Sequence, residues 1–272
     1  MRKYVCLILT LVLAATLCAC FPEPRYPEAE TTTAPIVMEP APVEPVTIAP
    51  ETTIPEPVET EPAKPEHSDL YIPGVDVEDV IIWFNEVVLD SEYSDGGDIS
   101  LVQKWTVPIT YSIEGEMTNK DQKVLESFAD WLNTVEGFPG IYPAEKVYAA
   151  NLHIYFGDAQ MLFDRLGPNY QNADGGVRYW YENNEIYDGT ICYLTGISQH
   201  LRNSVIQEEI YNGLGLVQDT NLREDSLIWQ GYSEPQSLTE VDELLVKLLY
   251  HPDMQCGMNA QECEAVIREL YY

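Results

Sequence analysis

The feature that most restricts how this chain can fold is a change of composition. Between residues 21 and 67 lie twelve of its nineteen prolines, with ten glutamates and many threonines, as in Glu39-Pro40-Ala41-Pro42-Val43-Glu44-Pro45. Proline removes backbone donors and fixes φ, the glutamates repel one another, and no apolar period is present. Such a segment cannot bury enough surface to offset its ordering entropy. It reads as an extended linker, partly polyproline II, at about 3.1 Å per residue; forty-seven residues then reach on the order of 100 Å. Its role is that of a spacer, and Thr/Pro-rich stalks of this kind also accept O-glycans.

Upstream, Met1-Arg2-Lys3 is positive and residues 5–19 are almost wholly apolar. That run is shorter than the roughly 20 apolar residues of a membrane span and has the form of a signal peptide. It ends in Leu17-Cys18-Ala19-Cys20, which resembles the lipobox of bacterial lipoproteins. Cys18 departs from the small residue commoner at its position. The resemblance implies that residues 1–19 are a removed signal peptide and that the Cys20 thiol accepts diacylglycerol. Membrane lipid is then a partner, and the protein is extracytoplasmic and lipid-anchored to the bacterial cell membrane. Two or three acyl chains hold far better than one. The alternative is an uncleaved helical anchor. Residues 20–67 form the linker, and residues 68–272 are the globular domain.

From Ser68 onward ten basic side chains stand against thirty-five acidic ones. So acidic a domain is repelled by phosphate backbones and anionic headgroups, which excludes nucleic acid as a partner. Three cysteines remain in it, Cys192, Cys256 and Cys263, with no zinc-type spacing. Cys256 and Cys263 are near enough in sequence for a local disulfide. Cys192 is free to pair with either, and one thiol is left over.

About 205 residues make one domain with room for a core. Periodicity places a helix at 77–90, β-rich alternation at 101–113, and a helix from Thr118 as N-cap to about 135. A strand follows at 151–156 and a short helix at 159–166. After a turn at Gly175-Gly176, two antiparallel strands span 177–181 and 185–194. Helix resumes from 200 to about 214, an irregular loop covers 216–236, a helix spans 237–250, and a closing turn with a short helix covers 253–272. The order reads as α+β: a twisted, mostly antiparallel-edged sheet over a central helix, with a C-terminal helix.

The informative stretch is Gln207-Glu208-Glu209-Ile210-Tyr211-Asn212-Gly213-Leu214-Gly215-Leu216-Val217-Gln218-Asp219. Its spacing is similar to that of metzincin-type zinc peptidases, whose HExxHxxGxxH/D pattern sets two histidines on one helix face, a glutamate that activates water, and a glycine turn before a third ligand. Laid over it, Glu208 and Asn212 take the two helical histidine positions and Gln218 the third, with Asp219 after it. Glu209 takes the general-base position and Gly215 the turn. Ser226-Leu227-Ile228-Trp229 is placed like the Met-turn, with Ile228 where methionine would stand. The resemblance implies a zincin-like (metzincin-like) domain whose imidazoles are all missing.

A closer resemblance, over roughly residues 77–263, is to a bacterial lipoprotein family known as domain of unknown function 2927. Its features here are Trp83-Phe84 to Ser91-Glu92-Tyr93, Lys104-Trp105 with Val107-Pro108-Ile109, Glu208-Glu209 with Gly213 to Leu216 and Asp219, Asp225-Ser226, Leu238 through Leu248-Leu249-Tyr250-His251-Pro252, and Gly257-Met258.

Tight tetrahedral zinc needs imidazole nitrogen or thiolate sulfur. After the leader the chain has only His67, His153, His200 and His251, none spaced i, i+4 with another. Glu208, Asn212 and Gln218 offer one carboxylate and two amides, a harder and weaker set. The expectation is therefore no metal and no cofactor. Two functions stand open: a non-catalytic pseudo-peptidase that binds a peptide or cell-wall component, and a degenerate hydrolase with Glu209 as base. For Glu208 and Glu209 the readings are a solvated pair on an acidic helix or the wall of a persisting groove. Tyr179-Trp180-Tyr181 reads as strand packing before a sugar platform.

Overall fold

Strands separated by helices run parallel, since a parallel pair needs a crossover of a dozen or more residues. That rule governs most of this sheet. The computed structural model describes residues 68–89, 101–231 and 234–272; the leader, Cys20 and the linker lie outside the described residues. Strand β2 (Ile109–Gly115) leads through helix α2 (Asn119–Leu132) to β3 (Ile141–Pro143), and β2 pairs in parallel with both β3 and β4 (Leu152–Gly157). After α3 (Ala159–Leu166) the chain forms a hairpin of β5 (Gly175–Glu182) and β6 (Glu185–Leu194), and β6 lies parallel to β4. The short β1 (Lys104–Trp105) pairs in parallel with the start of β6.

The sheet is therefore mostly parallel, which corrects the expected antiparallel character. Among the described residues only the β5–β6 edge is antiparallel. Alternation in β2 and β4 reveals which face is buried, but not which way a strand runs. The hairpin was legible from its two runs; the parallel strands depended on crossovers. Gly175 and Gly176 lie within β5 rather than in a turn before it.

Helix α1 (Val77–Phe84) continues into a π-helical turn, Asn85–Leu89. Helix α4 (Gln199–Gly213) packs against α2, β5 and β6. Helices α5 (Glu240–Tyr250) and α6 (Ala260–Tyr271) complete the domain, and α6 is a full twelve-residue helix rather than a short one. Helices α2 and α5 both open with a capping box, Thr118 with Asp121 and Thr239 with Asp242, which satisfies two orphan donors at each N-terminus.

The main core joins Phe84, Trp105, Ile109, Leu125, Ile154, Tyr193, Ile206 and Leu245. A smaller cluster of Leu162, Leu166, Tyr170 and Cys192 lies where α3 packs on β5 and β6. Cys192, Cys256 and Cys263 are free thiols, so the expected Cys256–Cys263 bridge is not formed.

Candidate functional site

Helix α4 carries no apolar stripe, yet nearly every residue from Arg202 to Gly213 is buried. Such a helix is enclosed on all sides and must satisfy its polar groups internally. Glu208 and Glu209 are each 6% exposed and Asn212 is 2% exposed. The reading of a solvated glutamate pair is thus corrected. Two buried carboxylates are retained only where partners compensate their desolvation.

Each face of α4 has a distinct neighbour. Val205 and Glu209 meet β5 at Gly175. A Cβ there would lie 2.5 Å from Val205 Cγ1 and 3.0 Å from Glu209 Oε1, so only glycine lets the helix approach so closely. Burial first, then the Glu209 carboxylate, raise the Tyr193 phenol well above its ordinary value. Burial likewise pushes the Cys192 thiol up to about 12, with Arg165 opposing and Glu209 adding to the rise. The Tyr193 hydroxyl donates to Ile206 O at 3.0 Å. On the opposite side, Tyr211 OH donates to Asp242 O at 3.1 Å.

The helix end is capped by side chains from other elements. Trp105 Nε1 donates to Gly213 O and Tyr250 OH to Leu214 O, each at 2.9 Å, satisfying carbonyls a helix terminus leaves open. Gly215 then turns the chain at φ +110°. Beyond it, Gln218 N bonds Val87 O at 3.2 Å, in the π-helical turn. Glu86 of that turn receives Thr220 Oγ1 and Asn221 N at 2.5 and 2.8 Å.

Ser226 and Ile228 are both buried. Ser226 Oγ donates to Asp242 Oδ1 at 2.7 Å, and Ile228 O accepts from Thr220 N at 2.8 Å. Asp219 is half-buried in this segment. The stretch expected as an irregular loop is therefore held at many points.

Of the former ligand positions, Glu208 and Asn212 sit one turn apart on α4. Gln218 is half-buried on the segment held to Val87. Asn212 Oδ1 is buried without a hydrogen-bond partner. No three His, Cys, Asp or Glu side chains among the described residues are grouped to hold a metal ion. One carboxylate and two neutral amides do not fit zinc, which takes nitrogen or sulfur donors in a closed tetrahedron.

The described histidines are engaged elsewhere. Ser112 Oγ and His153 Nδ1 are 3.2 Å apart, while His153 Nε2 stands 4.0 Å from Asp188 Oδ2. The longer gap is too wide for a hydrogen bond. His200 faces Glu234 at 3.5 Å, and His251 faces Asp253 at 3.5 Å. In the aromatic run, Tyr179 OH donates to Gln103 Oε1 at 3.1 Å, while Trp180 is 38% exposed.

The cavity of about 390 Å³ lies elsewhere on α4, where Gln207 and Asn203 meet α2 and the start of α5; Glu208, Glu209, Asn212 and Gln218 do not line it. One wall is a chain of amides. Gln199 Nε2 donates to Asn203 Oδ1 at 2.9 Å and Asn203 Nδ2 to Gln236 Oε1 at 3.3 Å. Gln207 Nε2 reaches Asn203 O and Gln236 O at 3.1 and 3.2 Å. Sequence reasoning centred on the metzincin spacing missed this face. Its signal was the recurrence of Gln199, Asn203 and Gln207 every fourth residue, a stripe on one side of a helix.

No helix among the described residues is long and apolar enough to cross a membrane. Residues 78–269 match a family model described as a protein of unknown function, DUF2927. No curated protein matches the chain.

Proposed function

The chain belongs to the DUF2927 family, and on that premise we propose that it is a membrane-anchored extracytoplasmic lipoprotein with a non-catalytic, zincin-like domain that binds a peptide or cell-envelope component. Acylated Cys20 tethers it, and residues 20–67 carry the domain away from the membrane. Support for a zincin-like scaffold comes from α4 beneath the sheet, the Gly215 turn, the returning segment with the Ser226-to-Trp229 turn, and α5 behind it.

The observation that carries the non-catalytic reading is the donor set at the former ligand positions. Glu208, Asn212 and Gln218 supply no nitrogen or sulfur ligand, and Glu208 and Asn212 are enclosed. A general base also needs reach to a water or substrate. Glu209 is 6% exposed and packs against Gly175.

Purified full-length protein in mild detergent tests this reading through its metal content and its action on peptides and cell-wall fragments. The expected result is saturable binding to isolated wall or peptides, retained in Glu209→Gln, without chelator-sensitive turnover. About one zinc per chain, with cleavage abolished by a chelator, would overturn it.

A further inference from the structure

We infer that the cavity between α2, α4 and the start of α5 is a binding site for the free carboxyl end of a short peptide whose last side chain is apolar. This inference rests on the proposed binding function and locates it. The cavity, about 390 Å³, falls in the range of small-ligand sites. Its apolar part is built from Phe128 and Trp131, whose rings lie 5.7 Å apart, together with Leu238. Trp131 and Leu238 are only partly buried although they pack on the core, which leaves apolar surface for a side chain of the ligand.

The polar atoms left over define the rest of the ligand. Gln207 Nε2 is consumed by two carbonyls, while its Oε1 has no partner among the described residues and stands as an acceptor for a peptide N–H. Lys123 and Ser127, one turn apart on α2, are exposed at the same cavity, and neither side chain makes a hydrogen bond or ion pair to another described residue. An unpaired ammonium with a hydroxyl beside it, in so acidic a domain, suits a carboxylate. Glu243 also lines the cavity, and its charge is met by Lys247, whose Nζ lies 3.3 Å from its Oε2. An apolar body, one N–H and a terminal carboxylate are the complement of this wall.

The test titrates full-length protein in detergent with N-acetyl-Ala-Ala-Leu as the free acid and as its C-terminal amide, followed by calorimetry. The free acid should bind saturably, with the amide about tenfold weaker. Lys123→Met should bring the acid down to the level of the amide, Trp131→Ala should weaken both, and Gln122→Ala, off the cavity on the same helix, should change neither. Equal binding of acid and amide would overturn the inference, as would undiminished binding by a folded Lys123→Met, Trp131→Ala double variant. If the tripeptide does not bind while wall material still binds to the double variant, this site is refuted and the general binding reading survives. Zinc-dependent cleavage would refute that general reading.

Discussion

Arg223 Nη1 donates to Asp242 Oδ1 at 2.9 Å, with Arg223 6% and Asp242 0% exposed. This contact fastens the segment after α4 to the cap of α5. Asp242 also accepts from Ser226 Oγ, Leu227 N and Thr239 N, so its carboxylate keeps three other donors if Arg223 is lost. Arg223 without Asp242 keeps Thr239 Oγ1 at 2.6 Å, the exposed Asp225 at 3.5 Å and the Trp83 ring at 5.3 Å, none of them a buried countercharge. Breaking a buried pair by removing one charge costs about 3–5 kcal/mol. Asp242→Asn should therefore fall in that range by urea unfolding, and Arg223→Met should cost less. A loss under about 1 kcal/mol for Asp242→Asn, the level of an exposed pair, would contradict this assignment.

A second buried aspartate sets the acid limit of the fold. Burial alone would raise the Asp121 carboxyl, but hydrogen bonds from Arg202, Gln199 and Thr118 outweigh it and hold it below its ordinary value. A lowered folded value means that the unfolded chain takes up the proton first as pH falls. The stabilisation is complete above the unfolded value of about 3.9 and is lost as pH drops through the folded one. Thermal midpoints followed from pH 7 to pH 2 should decline most steeply below about pH 4 in the wild type. Asp121→Asn, melting lower at pH 7, should show a shallower decline; an unchanged slope would remove Asp121 from this role.

The contrast between what the residues announced and what they concealed has physical causes. Helices with an apolar stripe and a Thr-x-x-Asp start were legible, as at Thr118 and Leu125, because cap and period are local. The direction of β2, β4 and β6 was not, since it depends on crossovers of many residues. Strand β3, three residues ending in Pro143, is too short for a pattern. The glycine turn at Gly215 was visible in the spacing. The burial of Glu208 and Glu209 was not, because α4 is enclosed all round and its polar residues find partners in distant segments. The cavity was hidden for the same reason, as Lys123, Gln207 and Leu238 meet only when α2, α4 and α5 are assembled.

At alkaline pH the buried phenols set the limit. Burial raises Tyr193, Tyr211 and Tyr250 above the ordinary tyrosine value, and the first two are also raised by nearby Glu209 and Asp242 respectively. In the unfolded chain these groups ionise near pH 10, whereas the folded chain keeps them protonated. Their contribution is complete below that pH and is lost as pH climbs toward the folded values. Tyrosinate absorbance at 295 nm should therefore rise in two steps, the second of them, from the buried set, only with the loss of the circular dichroism signal. A single smooth titration with the fold intact would contradict the burial of these hydroxyls.

Gly215 offers the sharpest test of the turn that ends α4. Its φ is +110°, and a Cβ placed on it would lie 2.1 Å from the backbone oxygen of Gln103. The left-handed backbone alone costs an L-residue about 1–2 kcal/mol. The contact adds to that, because a backbone oxygen just before β1 cannot swing aside as a long side chain would. Relief would have to move Gln103, and with it Trp105, which caps Gly213 O. Gly215→Ala should therefore destabilise by more than about 2 kcal/mol in urea unfolding. Gly196→Ala, where no atom lies within 4 Å and φ is not positive, should stay within about 0.5 kcal/mol of wild type. Equal stability of the two variants would show that the chain leaves α4 by some path other than the strained turn against Gln103.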